Sequence, residues 1–235
     1  MRIIKLNEQS RANILADLLK RDPNNYSAYE DTVQAIVDDV RARGDEALFE
    51  YTKKFDGAEL SADNIRVTQA EIQEALSQVD PNLLAVMKKS MKNIREYHEK
   101  QKQYSWFDSK PNGTILGQKV TALSSVGVYV PGGKAAYPSS VLMNIIPAEV
   151  AGVEKIVMVT PPGKDGKVNP VTLIAAHLAG ATEVYKVGGA QAIAALAFGT
   201  KSIPRVNKIV GPGNIFVALA KKAVYGHVSI DSIAG

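Results

Sequence analysis

The sequence predicts an α/β protein with a parallel sheet in its second half and a mainly helical segment in its first. Three observations carry this. From Val126 onward, short β-branched runs alternate regularly with helical stretches. The links between them are short and rich in glycine or proline. Before residue 125 charged residues are denser than after it, with apolar residues at helical spacing. Strands that alternate with helices build βαβ units, which close right-handed and give a parallel sheet. The stretch Ser125–Gly133, SVGVYVPGG, marks the change: a buried apolar run that stops at Pro131-Gly132-Gly133. It divides the chain into 1–125 and 126–235.

Taken in order, Met1–Leu6 alternates apolar and basic residues and reads as a short edge strand. Glu8–Arg21 places Ile14, Leu15, Leu18 and Leu19 on one helical face behind a cap at Asn7 or Ser10. Tyr29–Val40 repeats the pattern, Gly44-Asp45 interrupts it, and Glu46–Lys54 resumes it. Ile65–Thr68 is a strand candidate, and Thr68 caps a helix over Gln69–Gln78. Asp80 is the natural N-cap of the longest helix, run to about Gln103, and Pro81 is its first residue, where a missing N–H costs little. Tyr104–Asp108 reads as an aromatic knot that packs a loop against the helices, and Thr114–Leu123 as a hairpin or extended pair around Gly117. Then follow strand Val126–Val130, helix Ser139–Ala151, strand Lys155–Thr160, helix Pro170–Ala179, strand Glu183–Val187, helix Ala190–Phe198, strand Lys208–Val210, helix Ile215–Tyr225 and strand Val228–Ile230.

Composition sets bounds. A chain of 235 residues, 46% hydrophobic and 22% charged, can bury a sizeable core. No stretch is long enough to span a membrane and no signal segment opens the chain, so the expectation is a cytoplasmic protein with no membrane partner. The absence of cysteine excludes disulfides, thiolate metal sites and thiol nucleophiles. The net charge is +4, but basic and acidic residues interleave, as in KKSMKNIREYHEKQK. That favours a solvated helix face over a nucleic-acid stripe, and no nucleic-acid partner is expected.

Ligands of open parallel sheets bind at the carboxyl ends of the strands. Here those ends are Pro131-Gly132-Gly133, Pro161-Pro162-Gly163, Gly188-Gly189 and Gly211-Pro212-Gly213. Glycine lets backbone approach a ligand and a helix N-terminus favours phosphate, although βα turns use such residues in any case. Neither a strand-linked G-x-G-x-x-G nor a P-loop is present, so spacing alone gives no dinucleotide signature. Three polar residues stand out at this edge. Tyr129 lies at the end of its strand and could be plain core packing. Gln191 opens an otherwise apolar helix, where a buried amide needs partners. Asn214 follows Gly-Pro-Gly and reads first as an N-cap. His98 reads as a surface residue, His177 as packed in its helix, and His227 as either; none forms a local metal motif. No Ser-His-Asp set or carboxylate pair is visible.

The segments VGVYVPGG, YPSSVLMNIIPAEVAGV, VGGAQAIAALAFGT and KIVGPGNIFVALAKK, in this order, resemble the histidinol dehydrogenase family. The likeness runs through the second half, and the helical first half is compatible in order and character. Enzymes of that family oxidise L-histidinol through an aldehyde to L-histidine, with two NAD⁺ and a bound zinc ion. They are homodimers with exchanged segments, built on incomplete Rossmann-like domains. The resemblance therefore implies a Rossmann-like NAD-binding domain over 126–235, preceded by a mainly helical, incomplete α/β domain over 1–125. It assigns NAD contacts to Tyr129, Gln191 and Asn214 and accounts for the missing fingerprint. In the family the closing segment IDSIAG leads into a Pro-Ser-Glu stretch and a long further half. That half carries the zinc ligands, including a Gln-x-x-His pair with a later Asp and His, and the proton-transferring Glu-His pair. The resemblance thus implies an N-terminal part with no catalytic residue and no metal ligand of its own, inactive alone. Its incomplete sheet would expose strand edges and invite association. The alternative is a non-catalytic NAD-binding or assembly module.

Overall fold

The computed structural model describes residues 5, 7–19, 27–132 and 136–233. The expected edge strand at Met1–Leu6, the last residues of the first helix and Gly133 lie outside these. The first half is helical, as its periodicity predicts: α1 Glu8–Leu19, α2 Ser27–Arg43, α3 Asp45–Asp56, α4 Gln69–Gln78 and α5 Pro81–Glu99. Local chemistry sets the ends. Asn7 Oδ1 accepts the Ser10 N–H at 2.7 Å at the start of α1. Gly44, at φ 62°, separates α2 from α3 in a conformation that glycine tolerates. Thr68 and Glu71 form a reciprocal capping box at α4: Thr68 Oγ1 accepts the Glu71 N–H, and Glu71 Oε2 accepts the Thr68 N–H at 2.8 Å. Asp80 Oδ1 accepts the Asn82 N–H at 3.0 Å, with Pro81 as the first helical residue.

Four expectations in this half need correction. α5 stops at Glu99, not near Gln103. Beyond Ile94 no apolar residue of the helix packs on the core, and the Lys100 and Gln101 N–H groups turn back to the Tyr97 and His98 carbonyls. The aromatic knot is not packed: Trp106–Ser109 is a strand, β1, with Trp106 and Phe107 exposed. It pairs antiparallel with β2, Ile115–Gln118. The hairpin turns at Lys110–Thr114, with Gly113 at φ 84°, rather than at Gly117. Gly117 lies mid-strand opposite Phe107, and a Cβ there would come within 2.4 Å of the Phe107 ring and the Trp106 carbonyl. Finally, Ile65–Thr68 forms only one antiparallel bridge, Arg66 to Tyr185.

The second half follows its predicted alternation closely: β3 Ser125–Tyr129, α6 Pro138–Val150, β4 Lys155–Thr160, α7 Pro170–Ala179, β5 Glu183–Lys186, α8 Gly189–Phe198, β6 Lys208–Val210, α9 Ile215–Val224 and β7 Ser229–Ile230. The five strands form one parallel sheet in the order β5-β4-β3-β6-β7. β3 is fully buried, because helices cover both faces of a parallel sheet. Alternate residues of β3 and β4 serve opposite cores. Tyr129, Val157 and Val159 pack with α2, α3, α8 and α9; Val126, Val128, Ile156 and Met158 pack with α4, α5, α6 and α7. The helical first half is thus an outer layer on both faces: α2 lies on α8 and α9, α4 on α7, and α5 on α6.

Candidate functional site

The chain leaves the central strand β3 outward through β4 to β5, then returns through α8 to β6 on the other side of β3. The strand order therefore reverses between β3 and β6, where a crevice opens at the carboxyl ends. Tyr129 is the last residue of β3, and Gly211-Pro212-Gly213-Asn214 follows β6. A cavity of about 850 Å³ lies at the carboxyl ends of β3 and β4, walled mainly by α4, the β4–α7 loop and the start of α7, and it reaches Asp56, Tyr129, Gly132 and, from the β6 side, Asn214. That volume is within the range of pockets for small organic ligands.

The structure brings Tyr129 and Asn214 to this one cavity, whereas Gln191 does not line it. Tyr129 is almost fully buried, and its hydroxyl accepts the Gly189 N–H at 3.2 Å, at the first residue of α8. Burial pushes the phenol up to about 12, against the pull of the Gly189 N–H, and the nearby Asp56 carboxylate adds to the rise. Tyr129 is therefore a neutral phenol at any physiological pH. Gln191 sits in the first turn of α8, 1% exposed, and its Nε2 has no hydrogen-bond partner. An orphaned buried donor costs about 1–3 kcal/mol and calls for an explanation. Asn214 is exposed; its Oδ1 caps α9 by accepting the Phe216 and Val217 N–H groups at 3.1 and 3.2 Å. The N-cap reading of Asn214 thus holds, and it leaves the amide nitrogen of a residue that lines the cavity uncommitted to the cap.

The turn glycines act first in chain-to-chain packing. A Cβ on Gly188 would lie 2.2 Å from the Pro161 ring, one on Gly132 3.0 Å from the same ring, and one on Gly211 2.1 Å from the Tyr129 carbonyl oxygen. The turns after β3, β4 and β5 are thereby pressed together at Pro161, and the turn after β6 is pressed against the end of β3, which is a stricter demand than conformational freedom alone.

Among the lining residues that the sequence reading did not single out is Asp56. Asp56 ends α3, where its negative charge opposes the helix dipole. Its Oδ2 is buried without a partner, and burial raises the carboxyl to about 6. An acidic residue directly before the helix-ending Gly57 was the available signal. The histidines are dispersed. His98 is half-buried and bonds Gln101, His177 is exposed rather than packed, and His227 is exposed with its ring edge on Phe198. Among the described residues, no group of three or more His, Cys, Asp and Glu side chains comes together in a way that could hold a metal ion.

A family model described as histidinol dehydrogenase matches residues 19–235. The chain belongs to the histidinol dehydrogenase family. Among curated relatives, the histidinol dehydrogenase of Bacillus subtilis is 61% identical over 204 residues, covering 87% of this chain and 47% of the relative. That of Clostridium acetobutylicum is 54% identical over 235 residues, covering 100% of this chain and 54% of the relative. The crystal structure of histidinol dehydrogenase from Elizabethkingia anophelis superposes with a TM-score of 0.83 at 38% identity, over 88% of this chain and 48% of that one. The chain spans about half the length of the curated relatives it matches. The family resemblance and the α/β class with its parallel sheet are both borne out. The family name is that of an oxidoreductase of histidine biosynthesis.

Proposed function

We propose that this chain is the NAD-binding part of a histidinol dehydrogenase, an enzyme of the cytoplasm that oxidises L-histidinol to L-histidine in two NAD-dependent steps. The observation that supports this most directly is the meeting of Tyr129 and Asn214 at one cavity at the carboxyl edge of the parallel sheet. In this reading residues 126–235 are the Rossmann-like NAD-binding domain and 1–125 the helical part of an incomplete α/β domain. NAD supplies a hydride acceptor when bound. The neutral Tyr129 phenol walls the cavity and ties β3 to α8, the Asn214 amide nitrogen offers a donor at its rim, and the unpartnered Gln191 amide supports the inner wall. The residues present suit a polar, ring-bearing ligand between Tyr129, Pro131 and Pro161. Among the described residues no group of His, Cys, Asp and Glu side chains suits zinc.

NAD titration of the wild type, Asn214→Asp and Gln191→Ala tests the site. Asn214→Asp keeps the helix-capping oxygen and replaces the amide donor by a carboxylate, which both loses the donor and repels a pyrophosphate, so that the ligand contact is lost while the cap is kept. We expect Asn214→Asp to bind NAD at least about tenfold more weakly, since it loses one hydrogen bond and gains a charge, and Gln191→Ala to bind it more weakly through the loosened wall. Equal affinity in all three would overturn the assignment. A second reading, an assembly module, is favoured by the exposed apolar residues on both sides of the β1–β2 hairpin, where Trp106, Phe107, Ile115 and Leu116 meet solvent, with Tyr104 just before it. It agrees with a homodimer as the working form.

A further inference from the structure

Lys221 lies on α9, fully buried, among Val217, Ala218, Ala220 and Val224. Its neighbour Lys222 is exposed and pairs at the surface with Glu30 at 2.8 Å. The Lys221 ammonium instead reaches Asp231, just past β7, and donates to the Gly211 carbonyl at 3.0 Å. Asp231 completes a ring: its Oδ2 accepts the Gly211 N–H at 2.9 Å, and its Oδ1 also accepts the Ser232 N–H at 2.6 Å. Both polar groups of Gly211 are therefore held by two charges that also hold each other. Burial works against the Asp231 charge, yet Lys221 and the two backbone N–H groups keep its carboxyl below the ordinary aspartate range.

Stability alone does not account for such a pair. Desolvating an ammonium is costly, and a buried ion pair replaced by apolar residues of similar volume is often neutral or stabilising. The apolar surroundings of Lys221 on α9 would accept methionine or leucine. What an apolar residue could not do is fix Gly211. That glycine, at φ 110°, closes on the Tyr129 carbonyl and starts the turn that ends in Asn214.

We propose that Lys221 and Asp231 are positioning residues that set the Gly211–Asn214 turn against Tyr129, and so fix the geometry of the cofactor edge. The proposal rests on the reading of that edge as an NAD site, and its test has an arm that does not need NAD. Hydrogen exchange and NAD titration are measured on the 235-residue chain for wild type, Lys221→Met, Asp231→Asn and the double variant. In each single variant the Gly211, Phe216 and Val217 amides should exchange at least tenfold faster, with the β4 amides unchanged. NAD should bind about tenfold more weakly, since a charge-assisted hydrogen bond to the turn is lost. The double variant should be no more than about threefold worse than the worse single, because the ring acts as a unit. Unchanged exchange at these amides, equal loosening across the whole sheet, or fully additive losses would each overturn the proposal. If the wild type binds no NAD, the cofactor reading falls and the exchange arm still decides the positioning role. If Lys221→Met fails to fold, Asp231→Asn, which conserves shape, carries the same test.

Discussion

Gly211→Ala isolates the packing of the βα turns from the conformational freedom of glycine. The new Cβ would stand 2.1 Å from the Tyr129 carbonyl oxygen and 3.1 Å from its carbonyl carbon, both backbone atoms of the central strand. Neither side can yield cheaply: β3 is paired on both edges, and the Gly211 peptide is held by Asp231 and Lys221. A left-handed φ of 110° costs an L-residue about 1–2 kcal/mol. Forcing a methyl into a filled site adds about 1–3 kcal/mol. The expected loss is therefore about 2–5 kcal/mol. At about 2–4 °C per kcal/mol for a chain of this size, Tm should fall by roughly 4–20 °C. Gly226→Ala is the control, because Gly226 has φ 97° but no atom within 4 Å of the added Cβ, so only the conformational cost applies. Urea denaturation of both variants gives the difference, expected at about 1–3 kcal/mol. Equal destabilisation within about 0.5 kcal/mol would refute the claim that the turn is pressed against β3.

Asp56 affects stability in the opposite sense to most carboxylates. Burial raises it from an ordinary 3.8 to about 6, so the folded state holds its proton longer than the unfolded state. Stability should therefore fall as pH rises from about 4 to 6, and Asp56→Asn should be the more stable protein at pH 7 by about 1–2 kcal/mol, with the gain absent below pH 4; no gain at pH 7 in paired melts would count against a buried carboxyl. Glu71 behaves conventionally. Burial opposes its charge, but the almost buried Lys186 at 2.7 Å and the Thr68 cap hold its carboxyl below the ordinary range. Its contribution is present above the ordinary glutamate range and lost as pH falls through the lowered value, and Glu71→Gln should cost about 2–4 kcal/mol by stranding the Lys186 ammonium; denaturant midpoints at pH 7 within experimental error of wild type would exclude this. Trp106, the single tryptophan, is 56% exposed, so its emission should be that of a solvated indole and open to acrylamide quenching in dilute solution. A blue shift with rising concentration, followed by light scattering, would show that the hairpin is covered by a second copy; a constant spectrum would place the contact elsewhere.

The legibility of this chain tracks the range of the interactions concerned. α4 and α5 were readable because Thr68-x-x-Glu71 and Asp80-Pro81 are local devices: each cap satisfies N–H groups within three residues. The strands from β3 to β7 were readable because burial on both faces demands continuous β-branched runs. The hairpin was misread where composition and context conflict. Trp106 and Phe107 are apolar enough to suggest packing, and Pro111-Asn112-Gly113 was the turn signal passed over in favour of Gly117. Tyr129 and Asn214 were singled out from their places at strand ends, but their meeting at one cavity depends on the strand order, which no local pattern specifies.

By itself, then, the sequence determined the elements, their caps and the edge of the sheet at which a ligand could bind, since these follow from side-chain period and short-range hydrogen bonding. Only the tertiary structure decided the order β5-β4-β3-β6-β7, the layering of α2–α5 over both faces, the orphaned Gln191 amide and Asp56 carboxylate, and the Lys221–Asp231 ring about Gly211. Each of these joins residues far apart in sequence or depends on what surrounds a group in space. The free energy of a buried charge or an unpartnered donor is set by those surroundings, not by its neighbours along the chain.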